Sequence, residues 1–181
     1  MKEQTWLEEG WIFHNHAWHL LHDFIKLIPS DTDRLLDYGA GTGIAAAVIR
    51  AVYPSINPSV LDIEKSSQEF WQKRGLSGST IKGNEIPFPD KTFDVVMSSH
   101  VIEHIEDPAK AISEMFRVTK KRLIIAVPDG DCHFYDHKII FGRTLLKSVI
   151  YEALAGETFL YNSFPVYHSH INNLIAVIDR V

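Results

Sequence analysis

The chain has 181 residues, 45% hydrophobic and 23% charged, which fits one compact globular domain and excludes both a disordered chain and a separate second catalytic module. With 18 Lys and Arg against 23 Asp and Glu, the formal charge of -5 is a poor footprint for phosphate backbones, so nucleic acid is a disfavoured partner. The single cysteine, Cys132, closes neither an internal disulfide nor a thiolate cage, as in a reducing compartment. Met1-Lys2-Glu3-Gln4 does not open a signal peptide, and no apolar run approaches the length of a spanning helix. The expectation is a soluble cytoplasmic protein with no membrane partner.

Phe13, Ala17, Leu20, Leu21, Phe24, Ile25 and Ile28 carry the spacing of an amphipathic helix over residues 12–28, ended by Pro29 and Ser30-Asp31-Thr32-Asp33. Arg34–Tyr38 reads as a short strand entering a glycine-rich turn, and an Ala-rich helix follows over Ile44–Val52. Ser59–Ile63 is a second strand. Ser66 with Glu69 three residues on reads as a capping box for a helix stopping at Gly75. Further strands are expected at Ser79–Lys82, Phe93–Ser98 and Arg122–Val127, with a helix capped by Asp107-Pro108 running to Val118. Phe141–Ala155 reads as a helix, and Thr158–Phe164 and Asn173–Val181 as two last strands. Alternating strands and helices imply crossovers and a mostly parallel, doubly wound sheet of about seven strands in three α/β/α layers. The linker between the last two strands is too short for a helical crossover, so they form an antiparallel pair.

In an open sheet of this kind, ligands lie beyond the carboxyl ends of the strands, and the first strand-to-helix turn is the usual cradle. Here that turn is Asp37-Tyr38-Gly39-Ala40-Gly41-Thr42-Gly43. A dinucleotide fingerprint needs a small residue at position 44, where this chain has Ile44. Asp62 closes the second strand 19 residues after Gly43, where a carboxylate can accept from both hydroxyls of a ribose. Either feature alone is weak, since Gly-rich turns are often plain loops and a strand-end Asp is usually a solvated cap. Together, in one βαβ unit, they favour a nucleoside ligand.

Leu36–Gly43, Val60-Leu61-Asp62-Ile63, the run Gly83–Val96 and His100-Val101-Ile102-Glu103-His104 resemble, in order and spacing, the successive motifs of class I S-adenosylmethionine-dependent methyltransferases. The type 11 branch of small-molecule methyltransferases is the best likeness, and it spans residues 34–128. The resemblance implies a Rossmann-like fold with S-adenosylmethionine as cofactor and S-adenosylhomocysteine as product. It also implies that Asp37 and the backbone of Gly39 and Gly41 hold the methionine part, with Tyr38, Ala40 and Gly43 in the same cofactor-binding turn, that Asp62 takes the ribose and that Ile63 packs on adenine. Asn84, Glu85 and Ile86 would border the adenine, the last two often through a backbone amide, and Ser99 would lie at the methionine end. Asn84 departs from the acidic residue common there, which implies a weaker grip on the adenine amino group. Thr119-Lys120-Lys121-Arg122 replaces the usual Pro-Gly-Gly turn and leaves the local turn shape open.

Methyl transfer from a sulfonium is an in-line displacement that depends mainly on alignment, and a base helps when the acceptor must lose a proton. His100 directly follows the fourth strand and is the candidate base, against the bland reading that it caps the next helix. Glu103-His104 is more simply packing. Three histidine groupings raise the question of a metal: His14, His16, His19 and His22; His133 and His137; His168 and His170. None makes a convincing cage, so no metal is expected. The helix before the first strand and the loop after the fifth are where this family closes over its acceptor. His14, Trp18, His133, Tyr135 and His137 are therefore the candidate acceptor pocket.

The division expected is an N-terminal helical acceptor cap over residues 1–33, a cofactor core over 34–128, and an acceptor loop, helix and last strands over 129–181. The reading is a methyltransferase (EC 2.1.1) acting on an O or N atom of a small-molecule acceptor. The alternative is a catalytically inert cofactor-binding module serving a partner subunit. A homodimer is left open, and a dinucleotide-dependent oxidoreductase is undercut by Ile44 and the 83–104 segment.

Overall fold

The computed structural model describes residues 20–130, 137–167 and 172–181. Its strands are β1 (Arg34–Tyr38), β2 (Asn57–Asp62), β3 (Ser77–Thr80), β4 (Phe93–Ser99), β5 (Thr119–Pro128), β6 (Phe159–Tyr167) and β7 (Asn172–Arg180). The helices are α1 over residues 20–27, α2 (Ile44–Val52), α3 (Ser67–Lys73), α4 (Pro108–Val118) and α5 (Arg143–Ala153), with a 3-10 turn at Ile102–His104. One sheet runs in the order β3-β2-β1-β4-β5-β7-β6. Pairing is parallel from β3 to β5 and antiparallel where β7 meets β5 and β6. The mostly parallel sheet with its antiparallel last pair is the architecture expected.

Strand periodicity divides the core into two layers. Leu35, Val95, Met97, Ile124 and Ala126 face one side, where Leu20, Leu21 and Phe24 of α1 and Ile49 of α2 cover them. Leu36, Val96, Leu123, Ile125 and Val127 face the other, under Ile112, Met115 and Phe116 of α4 and Leu146 and Ile150 of α5. The chain leaves β1 for β2 on one side and later enters β4 on the other, so a switch point lies between β1 and β4. Their carboxyl ends therefore open into a crevice.

Several local expectations are corrected. β3 begins two residues earlier than expected, and β2 ends at Asp62, leaving Ile63 outside the strand and 72% exposed. The capping box does not form: Ser66 is already helical, and its N–H and hydroxyl both donate to Glu64 Oε1, at 3.2 and 3.0 Å. The Asp107 cap does form, accepting from Lys110 N at 2.9 Å with Pro108 in the first turn. No turn replaces the absent Pro-Gly-Gly motif, because α4 passes directly into β5 and Thr119 Oγ1 donates back to Met115 O at 2.7 Å.

The basic side chains of the run Arg117–Arg122 are structural. Arg117 holds Glu114, Asp90 and the carbonyls of Ile86 and Phe88. Arg122 grips Asp179 through two nitrogens, and Lys121 pairs with Asp31. Asp94 accepts from Asp33 N and Arg34 N at 3.0 Å each, and those bonds with Lys121 hold its carboxyl below the usual range against its burial. Among the described residues no helix is long and apolar enough to cross a membrane.

Candidate functional site

The turn after β1 is held open by its own backbone and closed by long-range contacts. Gly39 N and Ala40 N donate to Leu61 O at 2.8 and 3.0 Å, which lays the turn along the end of β2. Gly41 N donates to Asp62 Oδ2 at 2.7 Å, while Asp62 Oδ1 accepts from Glu64 N at 2.9 Å. Trp71 of α3 donates from Nε1 to Gly41 O at 2.8 Å. Asp62 is thus oriented by the turn it was expected to serve. Gly41 has φ +50°, and a Cβ there would meet nothing within 4 Å, so this backbone faces open space. Gly39, at φ +76°, lies beneath Val101.

Asp37 sits at the base of this cradle, 3% exposed. Its Oδ2 has no hydrogen-bond partner among the described residues. Burial pushes its carboxyl up to about 7, helped by the charge of Asp62 and opposed by the Ala46 amide. An ionisable oxygen buried without a donor is costly, and a cationic group arriving at the turn would relieve that cost. Tyr38, also 3% exposed, has its phenol pushed up to about 12 by burial and by Asp62 and Glu114. Ser98 is buried at the end of β4 and Ser99 is half-buried beside it.

In the expected adenine border two groups already have partners within the chain. Asn84 Nδ2 donates to Asp107 O at 3.3 Å. Ile86 has its side chain in the core, and its N–H donates to Glu114 Oε2 at 3.0 Å, so this amide is already occupied. Glu85 is exposed. Ile81 N donates to Asp62 O at 2.9 Å, which ties the start of this segment to the Asp62 end of the sheet.

His100 does not cap a helix. It has φ +55°, and its N–H donates to Ala126 O at 3.0 Å. Its ring Nε2 lies 2.8 Å from Asn173 Oδ1 of β7, and Nδ1 lies 3.7 Å from Glu103 Oε1. Glu103 is 1% exposed, and the His104 imidazole Nε2 lies 3.9 Å from the same Oε1. Of the expected acceptor pocket, His137 is described and stands ring to ring with His104, centroids 4.7 Å apart. His14, Trp18, His133 and Tyr135 lie outside the described residues, as do Cys132, His16, His19, His168 and His170. Trp71, Asn173 and Val101 were missed, and only Trp71 had a local signal, an aromatic on the apolar side of a short helix.

A family profile described as "Methyltransferase domain" matches residues 36–127, half of the chain. The chain belongs to this methyltransferase family. It is a class I S-adenosylmethionine-dependent member, and S-adenosylmethionine is its cofactor. An uncharacterized methyltransferase of Schizosaccharomyces pombe is 27% identical over 139 residues, covering 68% of this chain and 50% of that protein. A ubiquinone/menaquinone biosynthesis C-methyltransferase of Desulfotalea psychrophila is 28% identical over 154 residues, covering 75% of this chain and 60% of the relative. The chain spans roughly half the length of these curated relatives. In fold it is similar to a chain from the complex between the Haloferax volcanii Trm112 methyltransferase activator and a methyltransferase. That likeness has a TM-score of 0.78 at 17% identity and covers 97% of this chain and 96% of the other.

The residues present fit the family's cofactor. Gly41 faces open space beside an anchored carboxylate, and the buried Asp37 oxygen awaits a cationic donor. Asp62 would hold the nucleoside, and Asp37 with the Gly41 backbone the aminoacyl end.

Proposed function

We propose that this methyltransferase acts on a small-molecule acceptor at an O or N atom, with the acceptor over the ends of β4 and β5. The observation that supports it is the Gly41–Asp62 junction, open on one side and backed by the orphaned carboxyl of Asp37. Bound S-adenosylmethionine supplies an electrophilic methyl on a sulfonium. The chain's part is to align it with the nucleophile, worth on the order of 7 to 11 kcal/mol at best. His100, at the carboxyl end of β4, is the residue assigned to the acceptor's leaving proton, its ring steadied by Asn173. The C-methyltransferase names among the relatives add carbon as a competing acceptor atom.

Calorimetric titration with S-adenosylmethionine, S-adenosylhomocysteine and NAD tests the cofactor assignment: binding of NAD alone would sink it. Turnover is read as S-adenosylhomocysteine release over a metabolite panel. His100→Ala cuts that turnover and leaves cofactor binding near wild type, and unchanged turnover removes His100 from the reaction.

A second reading is a cofactor-binding module that works only with a partner subunit. It is favoured by the likeness to a chain from the Trm112 activator complex. Release that never exceeds the acceptor-free background, restored by adding a partner protein, would decide for it.

A further inference from the structure

We infer that Glu103, His104 and His137 form a binding site for a divalent transition-metal ion, and that this ion holds an oxygen donor of the acceptor. The second half rests on the methyltransferase reading; the first does not.

The three residues each offer a ligand atom, and those atoms all lie within 4.8 Å of one another. A tetrahedral ion with bonds near 2.1 Å sets its ligand atoms about 3.4 Å apart. The Glu103 Oε1 to His104 Nε2 separation is 3.9 Å, so a small side-chain rotation brings the pair to that spacing.

The backbone assembles the cluster without help from an ion. Lys138 N and Ile139 N donate to Glu103 O at 2.8 and 3.2 Å, which sews the chain after β5 onto the Ile102–His104 turn and sets His137 against His104. Gly130 N to Phe141 O at 2.7 Å fixes the base of the same loop. Lys138 Nζ pairs with Glu106 at 2.9 Å just outside it. The contacts between Glu103, His104 and the 137–139 segment join positions more than thirty residues apart, which is why the sequence reading paired His137 with His133 and dismissed Glu103-His104 as packing.

The donor chemistry narrows the ion. Two imidazoles and one carboxylate suit zinc, iron, cobalt, nickel or manganese better than the hard, all-oxygen sites of calcium or magnesium. Three protein ligands leave positions open, the arrangement of sites that bind substrate or water. Glu103 is 1% exposed, and a carboxylate so withdrawn from water is stabilised by nearby positive charge. His100 Nδ1 lies 3.7 Å from the same carboxylate oxygen. The cluster stands at the carboxyl ends of β4 and β5. Val101, between His100 and Glu103, packs on Gly39 of the cofactor turn. An ion there would be at the acceptor's end of the crevice, where its open positions would take a hydroxyl.

A bare edge-to-face packing of His104 on His137 is the competing explanation, and a titration separates the two. Chelator-treated protein is titrated with Co2+ and followed by visible absorption, in wild type, His104→Ala, His137→Ala and Glu103→Gln. Wild type takes up one Co2+ per chain with ligand-field bands, and each single variant weakens uptake roughly tenfold or more, since even loss of an outer partner costs about 10-fold. No saturable uptake, or uptake unchanged in both histidine variants, overturns the site. Glu103→Gln removes a buried charge and can misfold. His137→Ala is therefore the deciding variant, with its circular dichroism and S-adenosylhomocysteine binding required to match wild type. Acetohydroxamate, a bidentate oxygen ligand, shifts the cobalt bands of the loaded protein, and no shift overturns the acceptor half. S-adenosylhomocysteine binding without Co2+ uptake defeats only the ion site. Co2+ uptake without S-adenosylhomocysteine binding defeats the methyltransferase reading and leaves the ion site standing.

Discussion

Val101 closes over Gly39: a Cβ on Gly39 would stand 2.8 Å from Val101 Cγ1, inside van der Waals contact. The pair couples the cofactor turn to the segment that carries His100, Glu103 and His104. Gly39→Ala combines that overlap with a left-handed backbone and should destabilise the protein by roughly 2 kcal/mol or more. Urea denaturation would measure it, and Val101→Ala in the same chain should recover part of the loss. Gly41→Ala meets no protein atom within 4 Å, so its cost to stability is confined to the left-handed backbone, roughly 1 kcal/mol, and it should weaken S-adenosylmethionine binding by more than that.

Trp71 reaches from α3 to the carbonyl of Gly41, while its ring edge fills the space beside Gly43. Trp71→Phe keeps most of the ring and removes the donor. The expected cost is about 1 kcal/mol of stability, with a several-fold weaker cofactor affinity by calorimetry. Equal affinity in the two proteins would mean that the turn holds its shape without this bond.

Asp37 gives the apoprotein a pH dependence. Its folded-state value of about 7 lies above the ordinary carboxylate value of 3.8. Between about pH 4 and 7 the folded chain therefore holds a proton that the unfolded chain has released, and stability from this group falls as pH rises through that window. Asp37→Asn should flatten the slope and raise the melting temperature of the apoprotein at pH 8. The same change should weaken S-adenosylmethionine binding, because the amide offers no charge to the ammonium. A variant that melts lower at pH 8 would contradict the assignment.

Arg122 ties three elements together: Nε to Asp179 Oδ1 at 2.6 Å, Nη2 to Oδ2 at 2.9 Å, and Nη1 to Leu27 O at 2.8 Å. Lysine cannot make this fork. Arg122→Lys should cost about 1 kcal/mol by urea denaturation, a modest figure because both side chains remain partly in water. The variant should leave cofactor affinity unchanged, since the grip lies at the sheet end away from the glycine turn.

The cofactor half was legible because its signals are short. A glycine-rich turn, an aspartate closing a strand and a buried apolar run such as Phe93–Ser98 are each properties of a few neighbouring residues, and their order along the chain implies the crossovers. The same local rules misjudged Ser66, whose hydroxyl found Glu64 before it could cap a helix.

Composition, periodicity and the motif order implied the doubly wound sheet that the structure has, and pointed to its first turn as a nucleoside cradle. They could not say that His100 would rest against Asn173, 73 residues on, or that His137 would meet Glu103 and His104. Those meetings depend on β7 inserting antiparallel beside β5 and on the loop after β5 bonding back to Glu103. Strand order and register are set by the packing of the whole core, so no window of sequence contains them, and the chemistry at the acceptor's end is decided there.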